Sequence, residues 1–310
     1  LRSIKICNKY IMLKLDPITL SVVRGILETT QREMTLALEK TSRSSVLNLA
    51  RDYSTTIFNS TPEMILQGQD IPIHLGSFMP AMKAVADFFG EDIHEGDLIL
   101  HNDPAYQGSH IVDMCMYRPV FYKEKHVFWT ACKGHLTDAG GPVPASYNPE
   151  ATEIFAEGLR IPPIKLWDKG KPRDDILNMV LTNMRARRDQ EGDFRALIGS
   201  CQVGERNLIN MLDKYGLDEV NLCIDELLSM ADRHMRSLIK EIPDGSYSGT
   251  AILEDAGHGL GDMEITANLT IKDDACDIGI ISPPQVPYFI NSYEGNSYSG
   301  VYLGLMMFAQ

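Results

Sequence analysis

Apolar residues recur at Ile18, Val22, Ile26, Met34 and Leu38, in steps of four or eight. That spacing lays them along one stripe of a helix. Asp16-Pro17 opens it with a capping residue and a proline suited to the first helical position, and the pattern predicts helix to about Lys40. A polar turn over 41–45 and a short link lead to Arg51. From Asp52 the residues become strand-prone: Tyr53, Thr55, Thr56, Ile57 and Phe58, then the turn Asn59-Ser60-Thr61-Pro62, then a returning strand over 64–68, which together make a hairpin. A helix over 78–89 stops at Gly90, and a strand follows over 97–100. Strands over 114–122 and 126–132 flank Lys123-Glu124-Lys125 and form a second hairpin.

Beyond the loop Gly140-Gly141-Pro142-Val143-Pro144, residues 153–166 are expected to pass from helix to extended chain, because Pro162-Pro163 forbids a continuing helix. Helices are predicted at about 174–187, 189–215 and 218–240. Apolar faces on the last two include Leu222, Ile224, Leu227, Leu228, Met230, Met235, Leu238 and Ile239. Pro243-Asp244-Gly245 ends this run. Alternating segments at 249–253, 263–271 and 276–281 read as antiparallel strands, and 297–310 reads as helix. The class expected is α+β: antiparallel hairpins packed with amphipathic helices, then a second antiparallel β region. Residues 1–11 read as an upstream extension, with Met12 as a natural start. Residues 12–243 read as the main region. Residues 244–310 read as a β-rich part and the beginning of a further helix, with the chain truncated there.

With 310 residues the chain can build real cores. Its net charge of −13 argues against nucleic acid or an anionic membrane as a partner, since both call for a basic face. No apolar run approaches the roughly 20 residues of a membrane-spanning helix. Cys7, Cys115, Cys132, Cys201, Cys223 and Cys276 are widely spaced with no CxxC pair, and read as small buried hydrophobes in a reducing cytosol.

The chemistry concentrates between Leu98 and Pro144, which hold four of the eight histidines, His101, His110, His126 and His135, together with Asp103, Asp113 and Asp138. Imidazole and carboxylate are the usual ligand pair for a borderline divalent cation. A lone buried histidine is more often a hydrogen-bonded core residue, and H-x-x-D alone is weak. The second hairpin changes the balance. His110 and Asp113 sit just before its first strand and His135 just after its second, so antiparallel pairing brings the three together. Two imidazoles and one or two carboxylates leave room for water or substrate, a catalytic rather than a structural arrangement. Asp103 and Asp138 are candidates to orient the histidines, although Asp138 reads equally as a turn aspartate before two glycines. His74 has apolar neighbours and reads as buried or site-lining. His94, His101, His126, His234 and His258 read as surface or packing residues. The chain has no G-x-x-x-x-G-K-[ST] loop, no G-x-G-x-x-G after a strand and no G-x-S-x-G elbow. ATP chemistry would need another chain.

HNDPAYQGSHIVD, KGHLTDAGGPVPAS, EGLRIPPIKL and NMRARRDQEGDFRA resemble successive signatures of the hydantoinase B/oxoprolinase family, in order, from about Leu15 onward. INSYEGNSYSGVYLGL resembles that family's central segment. The resemblance implies the B-type subunit of ATP-dependent hydantoinases, 5-oxoprolinases and caprolactamases, cytoplasmic and part of a hetero-oligomer. It implies a divalent metal (zinc, manganese or iron) held by Asp52, His110, Asp113 and His135, and a partner A-type subunit that binds ATP. Ser109 stands where the family usually has threonine and keeps the hydroxyl. The activity implied is ring opening of hydantoin, 5-oxoproline or a lactam, with Asp138 as a candidate proton acceptor. Related carboxylase subunits acting on acetone or acetophenone, and a non-catalytic assembly subunit, are the alternatives.

Overall fold

The computed structural model describes residues 15–308. The extension expected at 1–11, the start at Met12 and Cys7 lie outside the described residues. In chain order the elements are α1 (Pro17–Thr41), α2 (Ser45–Asn48), β1 (Tyr53–Asn59), β2 (Met64–Gln67), α3 (His74–Phe89), β3 (Leu98–His101), β4 (Asp113–Tyr122), β5 (Lys125–His135), β6 (Ile164–Asp168), β7 (Lys171–Pro172), α4 (Asp174–Thr182), α5 (Arg187–Tyr215), α6 (Leu217–Ile239), β8 (Gly245–Leu253), β9 (Met263–Lys272), β10 (Ala275–Ile281) and α7 (Glu294–Phe308). The α+β class read from the sequence holds, and both hairpins form where their turns place them.

Seven strands make one antiparallel sheet in the order β2-β1-β5-β4-β3-β6-β7. The long β4–β5 hairpin lies at its centre, and helices cover both faces. Side chains alternate across a strand, and the burial follows that period. Met114 and Met116 of β4, with Cys132 of β5, enter a core with Phe194, Leu197 and Cys201 of α5. Cys115 and Tyr117, with Trp129 and Ala131, enter another with Phe78, Met82 and Val85 of α3. Asp113 and His135 share the odd-numbered parity and therefore face the α3 side.

α1 begins where the cap predicts, Thr19 N–H donating to Asp16 at 3.0 Å. Its buried stripe differs from the one read in sequence: Val23, Leu27, Thr30, Gln31, Met34 and Leu38 are buried, while Ile18 is 73% exposed and Val22 40%. A strict step of four drifts by roughly 40° each time on a helix of 3.6 residues per turn. The buried face instead mixes steps of three and four. Residues 153–166 contain only a single 3-10 turn, Ile154–Ala156, before running extended into β6. α4 stops at Thr182 rather than about 187. α3 begins four residues before the expected 78. α6 buries Val220, Cys223, Ile224 and Ile239, leaving Leu222 and Met230 about 40% exposed.

The strands β8, β9 and β10 form a separate antiparallel sheet in the order β10-β9-β8. α7 returns to pack on α3. The four cysteines from Cys115 to Cys223 are buried and Cys276 is partly so, all with free thiols. Among the described residues no helix is long and apolar enough to cross a membrane.

α5 reaches the sheet through Gly204. A Cβ there would lie 2.5 Å from Met34 Sδ and 2.6 Å from Thr130 Cγ2, so α1, α5 and β5 meet at a point with no room for a side chain. Gly204→Val should cost about 1–3 kcal/mol by overpacking, read as a lower midpoint in thermal or denaturant unfolding. An unchanged midpoint would mean that this three-way contact is looser than its geometry.

Candidate metal centre

The register of the central hairpin builds the site. Asp113, first residue of β4, is the cross-strand partner of His135, last residue of β5. Just upstream, the Asp113 N–H donates to the His110 carbonyl at 3.0 Å, a turn that folds His110 back over Asp113. Nε2 of His110 and Nδ1 of His135 then lie 2.8 and 3.1 Å from the same oxygen, Asp113 Oδ1. One donor atom from each residue fits within 4.8 Å of the others. Both imidazoles must donate N–H to an ionised carboxylate that can only accept. A divalent cation would take the place of those protons, so the set fits one chemically.

Asp52 arrives from β1's edge. Its N–H donates to the Val46 carbonyl at 3.1 Å, and its own carbonyl accepts the His135 N–H at 2.9 Å. The preceding Arg51 sits in the left-handed region, φ 59°, which turns the chain out of α2 into β1. The Asp52 carboxylate stands 3.9 Å from His135 Nδ1 and 3.9 Å from His74 Nε2, beside the three-residue cluster rather than inside it.

The Asp113 carboxylate is buried, 2% exposed. Burial alone would raise its pKa, but the His110 charge and hydrogen bonds from His110 and His135 outweigh this and hold it well below the usual range. Its other oxygen accepts from Ser109 Oγ. Asp52 moves the opposite way, because burial raises it more than the His135 charge lowers it. For His135, burial pushes the pKa down while its bond to Asp113 and the charges of Asp113 and Asp52 carry it above the usual value. His74 bonds Ser54 Oγ through Nδ1 at 2.9 Å. Burial first, then the Lys133 charge, depress it to about 3, so it is a neutral wall of the site.

Lys133 escaped the sequence reading. It is fully buried, two residues before His135 and on the same face of β5. Its Nζ donates to Ser77 Oγ at 2.6 Å and Ser109 Oγ at 3.0 Å. Ser109 in turn donates to Asp113, so a buried ammonium braces the acid through one hydroxyl. The signal available was parity: within a strand, i and i+2 share a face. Tyr147, Glu157 and Phe289 were also missed, since they come from loops. The Tyr147 ring lies 6.2 Å from those of both His110 and His135 and 5.1 Å from that of Phe289.

The two second-rank aspartates are committed elsewhere. Asp138 accepts from Arg185 Nη1 at 2.7 Å and the Arg185 N–H at 2.8 Å, so both oxygens are used and neither meets a site histidine. Gln190 adds bonds to Thr137 and the Asp138 carbonyl. The stretch NMRARRDQEGDF thus pins the loop after β5. Asp103 is bridged by Arg160, with Nη2 2.9 Å from each carboxylate oxygen, and caps the turn at Pro104 through the Ala105 N–H. Its carboxylate meets neither His110 nor His135, and its backbone carbonyl accepts from His101 Nε2 at 3.1 Å.

This chain belongs to the hydantoinase B/oxoprolinase family, whose model matches residues 16–310. It is 71% identical over 295 residues to caprolactamase subunit beta of Pseudomonas jessenii, covering 95% of this chain and 51% of that one. The crystal structure of ATP-dependent caprolactamase from Pseudomonas jessenii superposes with a TM-score of 0.92 at 70% identity, over 96% of this chain and 51% of that one. A nucleotide-free acetone carboxylase structure matches with a TM-score of 0.86 at 18% identity, over 94% of this chain and 41% of that one, which is a likeness of fold alone. The chain spans about half the length of the curated relative it matches at 71% identity.

The loops around the site are tied by one side chain. Asn102, fully buried, donates to the carbonyls of Ile111 at 2.6 Å and Leu159 at 2.9 Å and accepts the Ile161 N–H at 2.7 Å. Asn102→Ala strands two buried backbone groups, at Ile111 and Ile161, and a part-buried one at Leu159, each buried one costing about 1–3 kcal/mol when unsatisfied. A loss of about 3 kcal/mol or more is expected in denaturant unfolding; a loss below about 1 kcal/mol would show that the loops hold without it.

Proposed function

We infer that this chain is the metal-binding part of an ATP-dependent hydrolase that opens cyclic amides. The observation that carries the reading is the convergence of His110, Asp113 and His135 on one point, with Asp52 3.9 Å from His135. These four residues would hold a divalent ion, zinc, manganese or iron by the mix of nitrogen and oxygen donors. Such an ion supplies Lewis acidity, polarising an amide oxygen and making water more acidic.

The chain's own residues set the conditions for that chemistry. Asp113 gathers both imidazoles, and the Lys133–Ser109 bridge keeps its carboxylate oriented. Neutral His74 closes the inner wall, while Tyr147 and Phe289 form an aromatic rim on the open side. Asp138 is not the proton acceptor in this reading, because Arg185 occupies both its oxygens. An amide carbon is a poor electrophile, so the ring must be activated before water can add to it. An A-type subunit that binds ATP would do this by phosphorylating the carbonyl oxygen. The relative named caprolactamase subunit beta, at 71% identity, makes a lactam the cyclic amide to test first. Bicarbonate fixation into a ketone has only a fold-level likeness behind it.

The test uses the full-length chain assembled with its ATP-binding partner. His110→Ala and His135→Ala should each abolish stoichiometric metal by elemental analysis, and should lower ATP-dependent lactam opening by at least about 10³-fold, matching the several kcal/mol a Lewis acid supplies. Full activity with the metal gone would sink the reading.

A further inference from the structure

The sequence motif EGLRIPPIKL contributes more than an extended connection. It brings Glu157 to the mouth of the metal centre, and its backbone is fixed on both sides. Gly158 has φ 138°, and a Cβ on it would lie 2.7 Å from the Ala139 carbonyl oxygen and 3.0 Å from Ile111 Cγ2. Glycine alone lets this segment press against the loop that carries His110. Leu159 N–H donates to that Ala139 carbonyl at 2.7 Å, Asn102 holds residues 159 and 161, and Arg160 closes on Asp103. Glu157 therefore has little freedom in where its side chain starts.

That side chain lines a cavity of about 10 Å³ together with His110, Ser146, Tyr147 and Phe289. The volume is near the minimum that holds one water. Among the described residues Glu157 is the only carboxylate on its wall. Among the described residues no hydrogen bond or ion pair engages it. A half-buried, uncommitted carboxylate beside a water-sized space suits proton transfer. The other acids of the site have other roles in this reading: Asp113 and Asp52 would hold the ion, and Asp138 is bonded by Arg185.

We propose that Glu157 is the proton carrier of ring opening, taking protons from the attacking water and delivering them to the ring nitrogen. This rests on the reading of the chain as part of a cyclic-amide hydrolase. With the carbonyl oxygen carrying the phosphoryl group from ATP, carbon and ring nitrogen are joined by a double bond. The water oxygen bonds to that carbon, and one water proton passes through Glu157 to the nitrogen. The carbon–nitrogen bond then breaks as the second proton, from the newly added hydroxyl, follows the same route. One water has then given its oxygen to the carbon and both protons to the amine. An acyl phosphate remains, which a second water splits into carboxylate and phosphate. Glu157 ends as it began, and no oxidant or reductant is needed.

The experiment compares the full-length chain, assembled with its ATP-binding partner, with the Glu157→Gln and Glu157→Asp forms of the same complex. Opened caprolactam, released ADP, bound metal and thermal midpoint are measured. Glu157→Gln should lower ring opening by about 10²–10⁴-fold with metal content and midpoint unchanged, ADP release exceeding product. Glu157→Asp should recover part of the loss. Ring opening within about threefold of the parent in Glu157→Gln would overturn the assignment. So would a loss that tracks loss of metal, which would make Glu157 a shaping residue. A parent complex that binds metal and hydrolyses ATP but opens no cyclic amide would overturn the functional reading and the proton-carrier role with it.

Discussion

A carboxylate at the end of the central hairpin, sealed from water, is the constraint on which the rest of the structure turns. Asp113 would be untenable there without donors, since an unpaired buried charge costs several kcal/mol. Three neighbouring side chains supply them. The turn before β4 brings His110 and Ser109 and the end of β5 brings His135, while α3 sets His74 alongside, its Nε2 3.8 Å from the second Asp113 oxygen and beyond hydrogen-bond reach. The converging imidazoles follow from the need to keep this one anion charged in a dry place, and a cation site results from the same geometry.

Lys133 extends that logic across the layer. Among the described residues it has no carboxylate in direct contact, and its ammonium is met by two serine hydroxyls and, 5.1 Å away, the Phe78 ring. Its charge reaches Asp113 through Ser109 and helps keep His74 unprotonated. The two oppositely charged groups sit on one face of one hairpin and are held apart by a hydroxyl. That separation leaves the Asp113 oxygen facing the histidines free of a competing ammonium. α7 joins the arrangement by packing on α3 and placing Asn296 3.5 Å from the Ser109 carbonyl, so a helix nearly two hundred residues downstream helps bound the site.

Much of this was legible from the chain. The turn at Lys123-Glu124-Lys125 and the strand-prone residues on either side fixed a hairpin, and the hairpin alone sufficed to unite His110, Asp113 and His135. Asp52 came only through resemblance, because what brings it near is the pairing of β1 with β5, a long-range contact that periodicity cannot reveal. Lys133 falls one residue beyond the strand expected over 126–132, whereas β5 runs on to His135 and gives the two residues one face. The Arg185 partner of Asp138 lies 47 residues on, in a stretch that reads as helix, so no local pattern reveals the bond. The stripe of α1 was misread because residues four apart slowly leave a common face. Glu157 and Tyr147 were invisible for a different reason: loop positions carry no period, and only tertiary ties such as those of Asn102 fix where they point.

The pairing of Asp113 with His135 also limits how this protein can change over time. Side chains along β4 and β5 can be exchanged wherever the two cores accept the volume. A single residue gained or lost inside either strand is another matter, because it would send every later side chain to the opposite face. For a change inside β5, His135 and Lys133 would then look toward α5, and Asp113 would keep only His110 and Ser109. The hairpin is in effect a ruler: its composition can drift, but its length between residues 113 and 135 is held by the chemistry at its open end.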